Sequence, residues 1–181
     1  CAGAPVPCKH ALRLGMCTLL TQNICLMCHT QELKLYGNDI GDAGLTALAK
    51  AVESGALPQL KELYLFNNQI GDAGISALAK AITPDKNGKG ALPSLKQIFL
   101  QGNQISDDGF ATLMPLLNKD GKLSGLTGFG IGSGITDKGM KEFADILSSG
   151  ALPKCTAIAA GGNPASAEAK QGVKDAIANC Q

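Results

Sequence analysis

The sequence predicts an α/β solenoid in which one short strand and one helix alternate along the chain. Three observations carry that expectation. Three lines can be laid over each other: LKLYGNDIGDAGLTALAKAV from Leu33, LYLFNNQIGDAGISALAKAI from Leu63 and IFLQGNQISDDGFATLMPLL from Ile98. Within each line a period-two stretch, L-x-L, runs into x-x-N-x-I and then into apolar residues at helical spacing. The asparagines at 38, 68, 103 and 163 mark successive copies, spaced by 30, by 35 and then by 60 across two units. Self-similarity at such a period is the mark of a stacked-repeat architecture.

Each element follows from the line that carries it. The L-x-L stretches predict strands. Leu45, Leu48, Ala49 and Val52 fall at i, i+3, i+4 and i+7, as do Ile75, Leu78, Ala79 and Ile82, which predicts one helix per unit. An Asp precedes each helical stretch (Asp42, Asp72, Asp107, Asp137) and is placed to cap the N-terminus of that helix. GALP at 55–58, 90–93 and 150–153 breaks the chain before the next strand. Pro115 should kink the third helix. A fourth, eroded unit reads LTGFGIGSGITDKGMKEFADIL from Leu126, with Ser133 or Gly134 where the asparagine is expected, and predicts an irregular turn. A fifth, CTAIAAGGNPASAEAKQGVKDAIANC, closes the chain. TPDKNGKG at 83–90 adds five residues to one connection on the helical side and reads as a solvated loop.

These lines resemble the leucine-rich repeat family, specifically its long ribonuclease-inhibitor-like class, with L-x-x-L-x-L-x-x-N-x-I and an α-helix per unit. The resemblance covers about 33–181 and implies a right-handed horseshoe solenoid, with a parallel sheet on the concave face and helices on the convex face. Physical chemistry agrees, since one strand and one helix cannot bury their apolar faces alone but stacked copies can. The asparagines also have a mechanism: a side-chain amide can donate to and accept from the backbone where the chain leaves the strand. The expected division is a cysteine-rich N-terminal cap at 1–32, repeats at 33–164 and a C-terminal capping helix at 165–181. Leu12 to Leu19 read L-x-L-x-x-C-x-L with Cys17 in the asparagine position, which suggests a degenerate first repeat within the cap.

Composition narrows the function classes. The chain is 45% apolar and 17% charged over 181 residues, enough for one folded domain. Lys and Arg total 16 against 15 Asp and Glu, and Arg13 is the only arginine, so no basic stripe is available for nucleic acid. No apolar stretch approaches the roughly 20 residues of a bilayer-spanning helix. Seven cysteines lie near the ends of the chain. Their clustering and the Cys1 start lean toward a processed protein in an oxidising space, secreted or lumenal, or a lipid-modified cysteine, whereas the repeats themselves are at home in the cytosol.

Three chemistries compete for the N-terminal cysteines. Cys25-x-x-Cys28-His29 has the spacing of c-type haem attachment, but about 30 residues offer little wall for a haem pocket. Zinc could draw on Cys8, His10, Cys25 and Cys28, with only one knuckle-like half. Disulfides, with Cys1, Cys8, Cys25 and Cys28 as candidates, rank first, because a terminal cap must be held over the core edge. Aligning the repeats places Cys28 and His29 opposite Pro58 and Gln59, in the turn before a strand. At the other end, Cys155 takes a core position and reads as a buried thiol, or as one half of a bridge to Cys180 if the last helix runs back toward the last strand. No metal or cofactor is assigned.

The outward x positions of L-x-L-x-x-N are where partners of this family bind. In order they are Lys34 and Tyr36, Tyr64 and Phe66, Phe99 and Gln101, Gly130 and Gly132, and Ala159 and Gly161. Of seven aromatics, Phe110, Phe129 and Phe143 take core positions and the other four map to this face, where strands about 4.8 Å apart should gather them into one patch. The glycine and alanine half would be a smooth floor. The sequence shows no nucleophile–base pair, and GFGIGSG lacks the Lys and the helix-opening context of a phosphate loop. The expected function is therefore a non-enzymatic protein-interaction module, a scaffold or accessory subunit of a larger complex, binding through Lys34, Tyr36, Tyr64, Phe66, Phe99 and Gln101. The alternatives are a regulator of a GTPase or other enzyme, which the lack of arginine in the repeats disfavours, and a haem electron carrier.

Overall fold

The computed structural model describes residues 29–83 and 92–178. Five strands, β1 (Glu32–Lys34), β2 (Glu62–Tyr64), β3 (Gln97–Phe99), β4 (Gly128–Gly130) and β5 (Ala157–Ala159), form one parallel sheet in chain order. Parallel neighbours need a crossover. It is supplied by α1 (Asp42–Glu53), α2 (Asp72–Ile82), the pair α3 (Asp107–Ala111) and α4 (Met114–Leu117), and α5 (Asp137–Ser148), with α6 (Ala167–Ala178) following β5. The sheet is in strict register, Leu33 beside Leu63, Ile98, Phe129 and Ile158, so one apolar column runs across the whole solenoid. This is the stacked leucine-rich-repeat architecture that the sequence predicts.

The core lies between the sheet and the helices. Leu45, Ala49 and Val52 of α1 and Ile75, Leu78, Ala79 and Ile82 of α2 are buried, as the helical spacing requires, while Leu48 is half-buried. Phe110, Phe129 and Phe143 form a three-ring cluster with centroids 5.3–6.2 Å apart. Cys155 is a free, buried thiol beside this core, and burial pushes its pKa up, which disfavours the thiolate. Its candidate partner Cys180 lies outside the described residues.

The asparagines act between repeats. Asn103 Nδ2 donates to Leu100 O of its own repeat (2.8 Å) and to Leu65 O of the previous one (2.9 Å), while Oδ1 accepts from Ile70 N (3.0 Å). Asn68 repeats this pattern with Leu65 O, Leu35 O and Ile40 N. Asn163 accepts from Ile135 N and donates to Ala160 O. Asn38 is exposed and, among the described residues, bonds to Leu35 O and Tyr36 O of its own turn. The fourth unit is one residue short: 63 to 70 and 98 to 105 span seven positions, 129 to 135 only six. What is lost is the asparagine. Ser133 Oγ instead accepts from Gly102 N (2.6 Å), where the preceding repeats present a backbone carbonyl to Gly37 N and Asn67 N. The irregular turn is thus a deletion in which one hydroxyl keeps the bond from Gly102 N.

Two expectations need correction. The aspartates do not cap their own helices. They stand inside the first turn, after N-cap residues Gly41, Gly71, Ser106 and Thr136, and reach to the next repeat. Asp42 Oδ1 accepts from Gly71 N (2.7 Å) and Gly74 N (2.9 Å), Asp72 from Ser106 N and Oγ, Asp107 from Thr136 N and Oγ1, and Asp137 from Ser166 N. Each carboxylate therefore sits at the positive end of the following helix, where backbone N–H groups are unsatisfied. Pro115 does more than kink the third helix: the helix stops at Ala111 and restarts at Met114, with the proline in the new first turn.

GALP works through an unusual backbone. Leu57, Leu92 and Leu152 have φ of 60°, 58° and 50°, the left-handed region. That costs a leucine on the order of 1–2 kcal/mol. All three side chains are buried, which returns about 1.5–3 kcal/mol each, so burial carries the strain.

Candidate functional site

The outer face of the sheet gathers the residues predicted to bind. Lys34, Tyr64 and Phe99 are register partners on β1, β2 and β3, and Tyr36, Phe66 and Gln101 follow two residues later on each. Tyr36 and Phe66 stack with centroids 4.5 Å apart and planes 3° apart, and Tyr64 and Phe99 stack at 5.5 Å and 9°. Tyr64 meets Phe66 edge to face at 6.3 Å, which joins the two stacks into one patch. Such pairs contribute about 0.5–1.5 kcal/mol each beyond burial. The rings remain partly open to solvent, and Tyr36 is 46% exposed. Tyr64, Phe66, Phe99 and Gln101 line an open depression of about 410 Å³.

Two acidic residues on this face escaped the sequence reading. Glu62 and Glu32 lie one alternation upstream of Tyr64 and Lys34, outside the L-x-L stretch but on the same side of the strands. Period-two alternation carried one step further would have found them. Lys34 Nζ pairs with Glu32 Oε1 at 2.8 Å, an exposed pair that adds little stability. Tyr64 Oη donates to Glu62 Oε2 at 2.7 Å. That bond, with burial and the nearby carboxylates, pushes the phenol up to about 12. The protonated phenol is favoured on folding, so its contribution is whole below the ordinary tyrosine value near 10 and is lost as pH rises through about 12. Phenolate absorbance should accordingly show a step near pH 12. Tyr64→Phe should remove that step and Glu62→Gln should move it down; a step unmoved by Glu62→Gln would disprove the assignment.

The smooth glycine floor is not open as expected. Gly128, Gly130 and Gly132 are buried. A Cβ on Gly128 would lie 3.3 Å from Phe99 Cζ, and one on Gly130 would overlap the Gln101 carboxamide. Side chains of β3 and its turn therefore lean over β4. Only Ala157 and Ala159 of β5 and Gly161 beyond it remain accessible.

The other sequence candidates fall elsewhere. Cys1, Cys8, Cys25 and Cys28, and with them the disulfide, zinc and haem readings that use them, lie outside the described residues, as do His10 and most of the 83–90 insertion. Among the described residues no group of three or more His, Cys, Asp or Glu could hold a metal ion, and no helix is long and apolar enough to cross a membrane.

Comparison with known proteins bears on the repeats and the fold. Residues 27–49 and 57–79 each match the family model described as Leucine Rich repeat, which places the first two units of this solenoid among leucine-rich repeats. A solved structure titled "Leiomodin-1 Actin-Binding Site 2 (ABS2)" superposes with a TM-score of 0.61 over 89% of this chain and 86% of that one, at 16% identity. That likeness is one of fold. No curated protein matches the sequence.

Proposed function

We propose that this chain is a non-enzymatic protein-interaction module, a scaffold or accessory subunit that holds a protein partner on the aromatic patch of its concave sheet face. One observation carries the reading: four of the seven aromatics stand stacked and partly solvated on one outer face, away from the core. Exposed aromatic clusters are rare on proteins without partners, and aromatic residues dominate interface hot spots. The leucine-rich-repeat fold supports it in kind. The structural neighbour's title names an actin-binding site, so actin is the first purified partner to try.

The test is partner capture from the native source by the wild-type chain and by the Tyr64→Ala/Phe66→Ala double variant. Capture should weaken by about 30-fold or more, the effect of losing an aromatic hot spot. The circular dichroism spectrum should be unchanged, because both rings lie outside the core. Capture that is equal for the two chains would remove this face as the binding site.

A further inference from the structure

The ring stack on the sheet face stops one position short. Tyr64 and Phe99 stack, and the next register position after Phe99 is Gly130. The place beside Phe99 is taken by the Gln101 carboxamide, which lies across Gly130 so closely that a Cβ there would overlap it. Gln101 Oε1 is, among the described residues, the one buried side-chain oxygen or nitrogen without a hydrogen-bond partner. The slot that would continue the stack is thus filled by a group whose acceptor is unsatisfied, at the edge of the depression lined by Tyr64, Phe66, Phe99 and Gln101.

We propose that this slot receives an arginine side chain of the partner: its guanidinium stacks on Phe99 above Gly130 while Gln101 turns aside and accepts a guanidinium N–H at Oε1. The inference rests on the reading of this face as the binding face. Arginine fits on three counts. Its fork is planar, so it extends a stack of rings, and a cation is drawn to an aromatic face. It has five N–H donors and no acceptor, which matches a lone acceptor. The charge of the face also favours a cation. Its charged outward positions on the strands are Glu32, Lys34 and Glu62; the first two pair with each other, and Glu62 forms no ion pair among the described residues. From Gly128 to Gly161 the outward positions carry no charge that would repel a cation. An aromatic side chain would stack but, as phenylalanine, leave Oε1 without a donor; lysine would donate but present no flat surface.

The full chain would be titrated with Ac-Gly-Arg-Gly-NH2, Ac-Gly-Lys-Gly-NH2 and Ac-Gly-Phe-Gly-NH2, following the NMR signals of the Gln101 side-chain amide and the Phe99 ring. The arginine peptide should move both sets of signals and bind about tenfold more tightly than either of the others. Gln101→Ala and Gly130→Ala should each weaken it about tenfold, the scale of one hydrogen bond to a charged group. Unmoved Phe99 and Gln101 signals, equal binding of the lysine peptide, or full binding by Gln101→Ala would overturn the proposal. If the arginine peptide fails while the Tyr64→Ala/Phe66→Ala variant still loses its captured partner, the slot falls and the binding face stands. If the peptide binds but capture ignores the double variant, the face falls as the partner site, and the assignment of the slot to a partner's arginine falls with it.

Discussion

Replacing Asn103 by Ala should cost about 3 kcal/mol of stability, whereas the same change at Asn38 should cost less than about 1 kcal/mol. The two residues occupy the same place in the repeat, one buried and one exposed, so the difference isolates what burial does to the side chain. Asn103 is 6% exposed and ties three backbone groups from two repeats. Its removal strands the N–H of Ile70, a fully buried residue, and takes one donor each from Leu65 O and Leu100 O. A buried group left unpaired costs about 1–3 kcal/mol, and an amide lost outright costs more than the net value of its bonds. Asn38 is exposed, and water can replace the bonds it makes among the described residues, to Leu35 O and Tyr36 O. Urea unfolding measures both variants. A lower midpoint with unchanged slope for Asn103→Ala is the expected result; equal losses at the two positions would mean that the ladder adds no inter-repeat stability.

That contrast also shows how much of the molecule could be read beforehand. The strand–helix alternation was legible because apolar spacing and the asparagine recur in register, and parallel stacking turns a sequence register directly into neighbours. The aromatic patch was legible for the same reason: Tyr64 and Phe99 occupy one repeat position and so must lie side by side. The aspartates were misread because capping rules look a few residues along one chain segment, and the N–H groups that Asp42 and Asp72 satisfy lie 29 to 34 residues away. Glu62 is less legible because it lies before the first leucine of the L-x-L stretch. The floor at Gly130 reads as open in sequence because a glycine records only that a side chain is missing. Which neighbour uses the space depends on a long side chain, here Gln101, whose direction the repeat pattern does not fix. The deletion in the fourth unit is visible as lost spacing, but the bond from Gly102 N to Ser133 is not, since a hydroxyl replacing a carbonyl leaves no periodic trace.

The glycine that follows each aspartate by two residues supplies the second large effect, and it turns on the same inter-repeat geometry. Gly109→Ala should destabilise the chain by about 2 kcal/mol, although alanine is the better helix former by up to about 1 kcal/mol. The added Cβ would overlap Asp72 Oδ1 and lie 2.7 Å from Asp72 Cγ and 3.0 Å from its Cα. Asp72 cannot move away cheaply, because it holds Ser106 N at 2.8 Å and Ser106 Oγ at 2.6 Å at the start of α3. Breaking those charged bonds costs about 1.5–3 kcal/mol each, more than the propensity gain. Gly172 in α6 is the control: a Cβ there meets nothing within 4 Å, so Gly172→Ala should stabilise by about 0.5–1 kcal/mol. The decisive measurement is the cycle with Asp72→Ala. Truncating the aspartate removes the overlap with its carboxylate, so the loss in Asp72→Ala/Gly109→Ala should fall short of the sum of the two single losses by at least about 1 kcal/mol. Glycine at this position would then be there for the previous repeat's carboxylate and not for its own helix. Additive losses, or a Gly109→Ala variant stabilised as Gly172→Ala is, would show that the aspartate yields and that the interlock between repeats is weaker than its hydrogen bonds suggest.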